Sequence, residues 1–264
     1  MVQPVGALPE YNKPPVVEVV IGLRFKPLEN LTTTHYGIFW SLIGQEYPLY
    51  QDWPPLGEEA EEPRFEIVQL PPLRRVFMIH TDQSYLMQLQ PDRFLHNWRK
   101  LLDSAAYPHF GSARQKFTRG WELFRNFAVE NNLGRPQLVA YEVTYVNHFI
   151  EEPDAFPKAT SAYLPVFHWT DDRSDHFLPS PASIGMDLRF SLPENRGRLR
   201  LTVKHGRRRP DGKDVMQAEL TAAGPAKEDG SDMPSFLDIA HEWIVRGFTD
   251  LTSADAHTKW ERVR

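Results

Sequence analysis

The residues best suited to bind a ligand are the basic side chains between positions 189 and 213. Arginine binds phosphate and carboxylate groups through paired hydrogen bonds, so this concentration indicates anion chemistry. In a strand, residues of equal parity share one face, and Arg198, Arg200, Lys204 and Arg208 have that spacing. We therefore predict a ligand- or partner-binding surface on this hairpin, while a solvated face without a ligand explains the same pattern.

Two classes of partner suit such a surface. The net charge of the whole chain is -5, which disfavours long polyanions and favours an acidic protein partner. The basic stretch also lacks the interleaved aromatic residues on which single-stranded nucleic acids stack. The first hypothesis is therefore a non-enzymatic binding or regulatory protein with a protein partner. The alternative is an anion- or nucleic-acid-binding protein that uses residues 189–213.

A metal site is the second alternative. Asp238 and His241 are three residues apart and share a face of a predicted helix. Together with His257 they could hold a divalent cation and support a metal-dependent hydrolase. The chain has no H-E-x-x-H motif, and packed or capping side chains explain these residues equally well. The interpretation that we retain is a protein without a metal or another cofactor, and no residue is assigned a catalytic role.

A structural network of polar residues is predicted around segment 92–99, which we interpret as a turn leading into a helix. Two glutamates, Glu18 and Glu142, lie within otherwise apolar strands. A charged group inside a central strand needs a partner, which an arginine of this segment would supply. The predicted network consists of Glu18, Glu142, Arg93, Asn97, Trp98 and Arg99.

Composition excludes several classes of protein. The chain has no cysteine, so thiolate catalysis, disulfides and cysteine zinc sites are excluded. It also has no P-loop, no G-x-G-x-x-G and no G-x-S-x-G, which argues against nucleotide hydrolases, dinucleotide enzymes and serine hydrolases. No signal peptide and no apolar run of spanning length is present. We expect a cytoplasmic protein without a membrane partner.

The elements that position these residues fall into two similar series. Each series predicts a strand, an irregular or helical stretch, three strands and a long helix. In the first series, the irregular stretch includes an acidic loop over 48–63. The first series has strands over 16–25, 64–70, 73–81 and 84–90 and a helix over 109–132. The second has strands over 137–149, 183–192, 198–206 and 214–222 and a helix from position 235.

The similarity of the two series predicts an internal repeat. Glu18 and Glu142 are 124 positions apart, and Arg75 and Arg200 are 125 apart. We predict an N-terminal arm over 1–13, a first unit over 14–134 and a second unit over 135–264. The fold class is α+β, with two strand–helix–three-strand–helix units and antiparallel sheets. Such helix-crossed sheets are similar to the TATA-binding saddle or to helix-grip folds.

Four segments resemble a sporadically distributed bacterial family of uncharacterised proteins. They are P-P-V-V-E-V through L-R-F at 14–25, D-R-F-x-x-N-W-R at 92–99, Y-E-V-x-Y-V-N at 141–147, and L-D-x-A-H with the following F, L-T, H and W over 237–260. The resemblance brings no established activity or catalytic residue. A scattered distribution fits an accessory component of bacterial defence or of a toxin–antitoxin pair.

Overall fold

The computed structural model describes residues 6–57, 73–102, 104–150, 158–167, 177–208 and 211–264. The strands are β1 (Val16–Phe25), β2 (Leu49–Trp53), β3 (Arg75–Ile79), β4 (Tyr85–Gln90), β5 (Arg93–Arg99), β6 (Leu138–Ile150), β7 (Gly185–Ser191), β8 (Arg198–Arg207) and β9 (Asp214–Pro225). The helices are α1 (Thr33–Ile43), α2 (His109–Glu130), α3 (Lys158–Tyr163), α4 (Met233–Leu251) and α5 (Ala254–Lys259). The predicted α+β class is confirmed.

The nine described strands form one antiparallel sheet in the order β2-β3-β4-β5-β1-β6-β9-β8-β7. Strands β1 and β6 are neighbours in the middle of the sheet, where Val20 lies opposite Thr144. One continuous sheet therefore runs through both predicted units. Strand β8 is an interior strand of this sheet, because β9 and β7 flank it on its two sides.

Aromatic side chains attach the five described helices to one face of this sheet. Alternate residues of a strand point to opposite faces, and Phe25 of β1 contacts Trp121 and Phe124 of α2. Equivalent ring contacts join α1 to α2, α4 to β6, and α3 and the end of α5 to β6. None of the helices in the described ranges combines the length and apolarity that crossing a membrane requires.

The opposite face of the sheet carries charged and amide side chains, and we call it the polar face. Strand β1 contributes Glu18 and Arg24, and β5 contributes Arg93 and Asn97. The strand register places Arg24 opposite Arg93. The chain after β2 borders this face, because the backbone of Leu56 exchanges two hydrogen bonds with the side-chain amide of Gln90, at 3.0 and 3.1 Å.

Two sequence-based predictions of elements need correction. Residues 93–99 form strand β5 instead of a turn and helix. The predicted acidic loop over 48–63 begins with strand β2. A β-bulge between Val16 and Glu18 turns Val16 into the core, where it is 3% exposed. The predicted strand over 64–70, and the acidic run 58–62, lie outside the described residues.

Within the predicted N-terminal arm, the described residues 6–13 pack against the C-terminal end of the chain. Tyr11 forms an isolated β-bridge with Arg262, and its hydroxyl group lies 2.9 Å from the hydroxyl of Thr249 in α4. Backbone hydrogen bonds from Glu10, Asn12 and neighbouring residues continue this contact. The arm thereby covers one end of the helical layer.

Candidate anion-binding site

A cavity of about 460 Å³ opens on the polar face near the centre of the sheet. We call it the arginine pocket. Five arginines and two glutamates line it, contributed by β1, β5, β6, β7, β8 and β9: Arg24, Arg93, Arg189, Arg198, Arg200, Glu142 and Glu219. Gly57 also lines the pocket. The lining holds five positive charges against two negative charges, although the chain as a whole is acidic.

The sheet register explains how residues distant in sequence meet here. Arg24 of β1 lies opposite Arg93 of β5, while Arg198 and Arg200 of β8 lie opposite Ser191 and Arg189 of β7. Like charges directly opposite each other on neighbouring strands are destabilising. Two such arginine pairs therefore lie at opposite walls of the pocket.

Two of the pocket arginines offer unused hydrogen-bond donors. Within the described ranges, the side chains of Arg93 and Arg198 form no hydrogen bond and no ion pair. The Nε atom of Arg93 is buried without an acceptor. A buried donor without a partner costs roughly 1–3 kcal/mol. Burial, and then the charge of the nearby Arg93, lower the pKa of Arg75.

The other predicted basic residues are differently placed. Arg200 lies in the pocket and binds Asp187, with Nη2 2.5 Å from Oδ2, and this hydrogen bond holds the pKa of Asp187 below its usual range. Lys204 is exposed on the polar face beyond the pocket. Arg208 lies past the end of β8 and pairs with Asp211, whose pKa it lowers to about 2. Of these predicted residues, Arg198 and Arg200 line the arginine pocket, and Lys204 and Arg208 do not.

A hydrogen-bonded chain of amides leads to Glu18 beside the pocket. Gln88 donates to Asn97 at 2.7 Å, and Asn97 donates to Glu18 at 2.6 Å. Burial raises the pKa of Glu18, and the hydrogen bond from Asn97 and the charge of Arg99 partly offset this effect. The carboxylate is thus held by an amide, with Arg99 opposite in the neighbouring strand.

One predicted member of the polar network, Trp98, lies on the other face of the sheet. Trp98 points to the helical side of the sheet and packs on Tyr107 at 5.4 Å between ring centroids. Residue parity in β5 separates Trp98 from Asn97 and Arg99, so its assignment to the network is wrong. Glu142 lies opposite Gly22 and lines the arginine pocket.

The candidate metal ligands do not meet. Asp238 pairs with Arg114 at 2.5 Å, His241 bonds the hydroxyl of Tyr145 at 3.0 Å, and His257 bonds Thr252 at 2.8 Å. Among the described residues, no group of three or more histidine and acidic side chains could hold a metal ion.

Sequence reasoning missed the contributions of Arg24 and Glu219 to the pocket. Each lies in a strand of alternating apolar and polar residues, where a single charge is typical of an exposed face. Strand pairing between β1, β5, β6, β8 and β9 brings them together. The alternation of Arg24 with Leu23 and Phe25 indicates its face but does not indicate its neighbours.

No known protein-family model matches the chain, and no curated protein matches it.

Proposed function

We propose that this chain is a binding or regulatory protein whose anionic ligand occupies the arginine pocket. The observation that carries the proposal is the presence of Arg93 and Arg198 in a concave site without partners in the described part of the chain. A phosphate or carboxylate group accepts hydrogen bonds from a guanidinium in bidentate geometry. The volume of about 460 Å³ suits a small molecule or a short acidic side-chain cluster of a partner.

The carboxylates of the pocket refine the ligand class. Glu142 and Glu219 line the same cavity as the arginines. They favour a ligand that combines an anionic group with hydroxyl or amine donors, because a purely anionic ligand would be repelled by them. Thr202 and Thr221 add neutral hydroxyls to the lining. A phosphorylated polyol fits this combination better than an extended polyanion.

The experiment is calorimetric titration of the protein with glucose 6-phosphate, inorganic phosphate and unphosphorylated glucose. The double variant Arg93→Gln/Arg198→Gln should weaken binding of the phosphorylated probe at least tenfold, since two charge-assisted hydrogen-bond sets are removed. The matched control is Arg207→Gln, an exposed arginine of the same hairpin that pairs with Asp214. Equal affinities of wild type and double variant contradict the proposal, and so does the absence of binding to both phosphate probes.

A nucleic acid is the second candidate ligand, favoured by an aromatic pair on the polar face. Trp53 of β2 stacks on Phe77 of β3 at 5.4 Å between centroids, and the guanidinium of Arg75 lies 4.9 Å from the ring of Phe77. Bases stack on such platforms in single-strand-binding proteins. Titration with single-stranded DNA at several salt concentrations tests this candidate, because phosphate contacts give a steep salt slope. A Trp53→Ala variant should then lose affinity for DNA and retain affinity for glucose 6-phosphate.

We also propose that the two halves of the chain are copies of one unit. Glu18 lies opposite Val146 and Gly22 opposite Glu142, so a shift of 124 positions carries each member of this ladder onto its counterpart. The same shift relates Arg99, opposite Glu18, to Ala223, opposite Glu142, and the start of α2 to the start of α4. These relations support a saddle-like duplication about the β1–β6 pair. The match of Arg75 with Arg200 does not belong to it, because the strand order makes β7 the counterpart of β3.

The resemblance to a scattered bacterial family supports an accessory role in defence or in a toxin–antitoxin pair as the setting of this function. In that setting the arginine pocket would sense a small anion or an acidic segment of a protein partner.

A further inference from the structure

A second cavity, of about 520 Å³, lies on the helical side of the sheet, away from the arginine pocket. It is enclosed by the N-terminal arm, the beginning of α2, the middle of α4 and β6. We call it the arm pocket. Its volume falls in the range that small-molecule sites occupy.

A chain of hydrogen bonds runs along the wall of the arm pocket. The hydroxyl groups of Tyr107 and Tyr145 are 2.8 Å apart, and the hydroxyl of Tyr145 lies 3.0 Å from Nδ1 of His241. The imidazole of His241 stacks on Phe110, with ring centroids 4.2 Å apart and planes 10° from parallel. All four side chains line the cavity. The Nε2 atom of His241 has no hydrogen-bond partner among the described residues.

The electrostatics of this wall are neutral. Burial lowers the pKa of His241 to about 4, and burial raises the pKa values of Tyr107 and Tyr145. The imidazole and both phenols are therefore uncharged near neutral pH. At the border of the cavity, Glu10 and Arg264 neutralise each other across 2.7 Å. A charged ligand would lose its hydration here without gaining an opposite charge.

We propose that the arm pocket binds an uncharged, planar heteroaromatic molecule that contacts the aromatic wall and hydrogen-bonds to Nε2 of His241. Aromatic rings at the wall supply faces and edges for such a ring. The hydroxyl chain from Tyr107 to His241 can orient either tautomer of the imidazole, so Nε2 can donate or accept according to the ligand. The N-terminal arm forms one wall, held to α4 by the contact between Tyr11 and Thr249.

The test uses adenine and indole as neutral probes and benzoate as a charged probe of similar size, with binding followed by saturation-transfer NMR and calorimetry. Wild type should bind at least one neutral probe and should bind benzoate more weakly. His241→Phe preserves the stacked ring and removes Nε2, so the affinity for the neutral probe should fall about fivefold to tenfold. Tyr107→Phe, which removes only a hydroxyl, gives a second variant in case His241→Phe does not fold.

Matched controls separate this site from the arginine pocket. Tyr50→Phe removes an exposed hydroxyl in β2, far from the arm pocket in the sheet order, and should leave binding unchanged. Arg93→Gln/Arg198→Gln should likewise retain the neutral probe. The proposal is overturned if His241→Phe and Tyr107→Phe both bind the neutral probe as wild type does. It is also overturned if benzoate binds as tightly as the neutral probes, or if neither neutral probe binds at millimolar concentration.

Discussion

Two buried ionisable side chains, Glu18 and His96, have pKa values that are shifted by their surroundings. The carboxylate of Glu18 accepts a hydrogen bond from the side-chain amide of Asn97. His96 is 1% exposed, and its Nε2 atom lies 3.2 Å from the hydroxyl of Tyr47. Burial is the first cause of the shifted pKa in both residues, raising that of Glu18 and lowering that of His96 to about 3. Both shifts favour the uncharged form.

The lowered pKa of His96 predicts an acid-sensitive core. In the unfolded chain a histidine has a pKa near 6.5, so below that pH the unfolded state binds a proton at His96 and the folded state does not. The free energy of unfolding therefore falls as the pH drops from 6.5 toward about 3. Between pH 7 and pH 5 this residue should cost about 2 kcal/mol of unfolding free energy. Urea unfolding at both pH values measures the loss.

The variants for this experiment are His96→Phe and Tyr47→Phe. His96→Phe should lose about 2 kcal/mol less than wild type over the same pH interval, because the titrating group is gone. Tyr47→Phe removes the hydrogen bond and keeps the histidine, so its pH dependence should match wild type. An equal loss in wild type and His96→Phe would refute the assignment.

At the scale of elements, the sequence pattern predicted strands β1, β3, β4, β6, β7, β8 and β9 and helices α2 and α4, because their apolar residues repeat at the spacing of a strand or helix face. It failed for β5, which contains four polar residues, Arg93, His96, Asn97 and Arg99. Asparagine is depleted in strands; here β4 and β1 pair with β5 on both sides, and Gln88 and Glu18 satisfy the side-chain amide of Asn97. The pocket could not be predicted, since it depends on strand order.

The close approach of β9 to the turn before β8 predicts that Gly224 does not tolerate a side chain. A Cβ atom at Gly224 would lie 1.9 Å from the backbone oxygen of Arg196 and 2.8 Å from a ring carbon of Phe236. Gly224→Ala should therefore destabilise the fold by about 2 kcal/mol or more. Gly206→Ala in β8 is the control, since nothing lies within 4 Å of its added Cβ. Thermal melts of both variants measure the effect, and equal melting temperatures would contradict it.

At the scale of the whole molecule, the sheet carries a charged pocket on one face and a neutral pocket on the other. The polar face concentrates arginines around the β1–β6 pair, while the helical side holds the neutral tyrosine–histidine chain of the arm pocket. Both sites draw residues from both predicted units: the arginine pocket uses Arg93 and Arg198, and the arm pocket uses Tyr107 and His241. Binding at either site therefore depends on the two halves being joined.

That dependence leads to a prediction about the halves themselves. Residues 14–134 and 135–264 meet through the whole β1–β6 ladder, from Val16 opposite Asn147 to Phe25 opposite Leu138. The halves also meet between α2 and α4, where Arg114 pairs with Asp238 at 2.5 Å. Separation would leave a long, apolar edge strand on each half, which favours aggregation over folding.

We expect neither half to fold as a monomer when it is produced alone, and we expect co-production of both halves to restore a soluble complex. Amide dispersion in NMR spectra and size-exclusion chromatography distinguish these outcomes. A half that self-associates through β1 or β6 agrees with the expectation, because a second copy then replaces the missing strand at the same edge. A folded monomeric half with a cooperative melt would show that the β1–β6 ladder joins two independent domains instead of completing one.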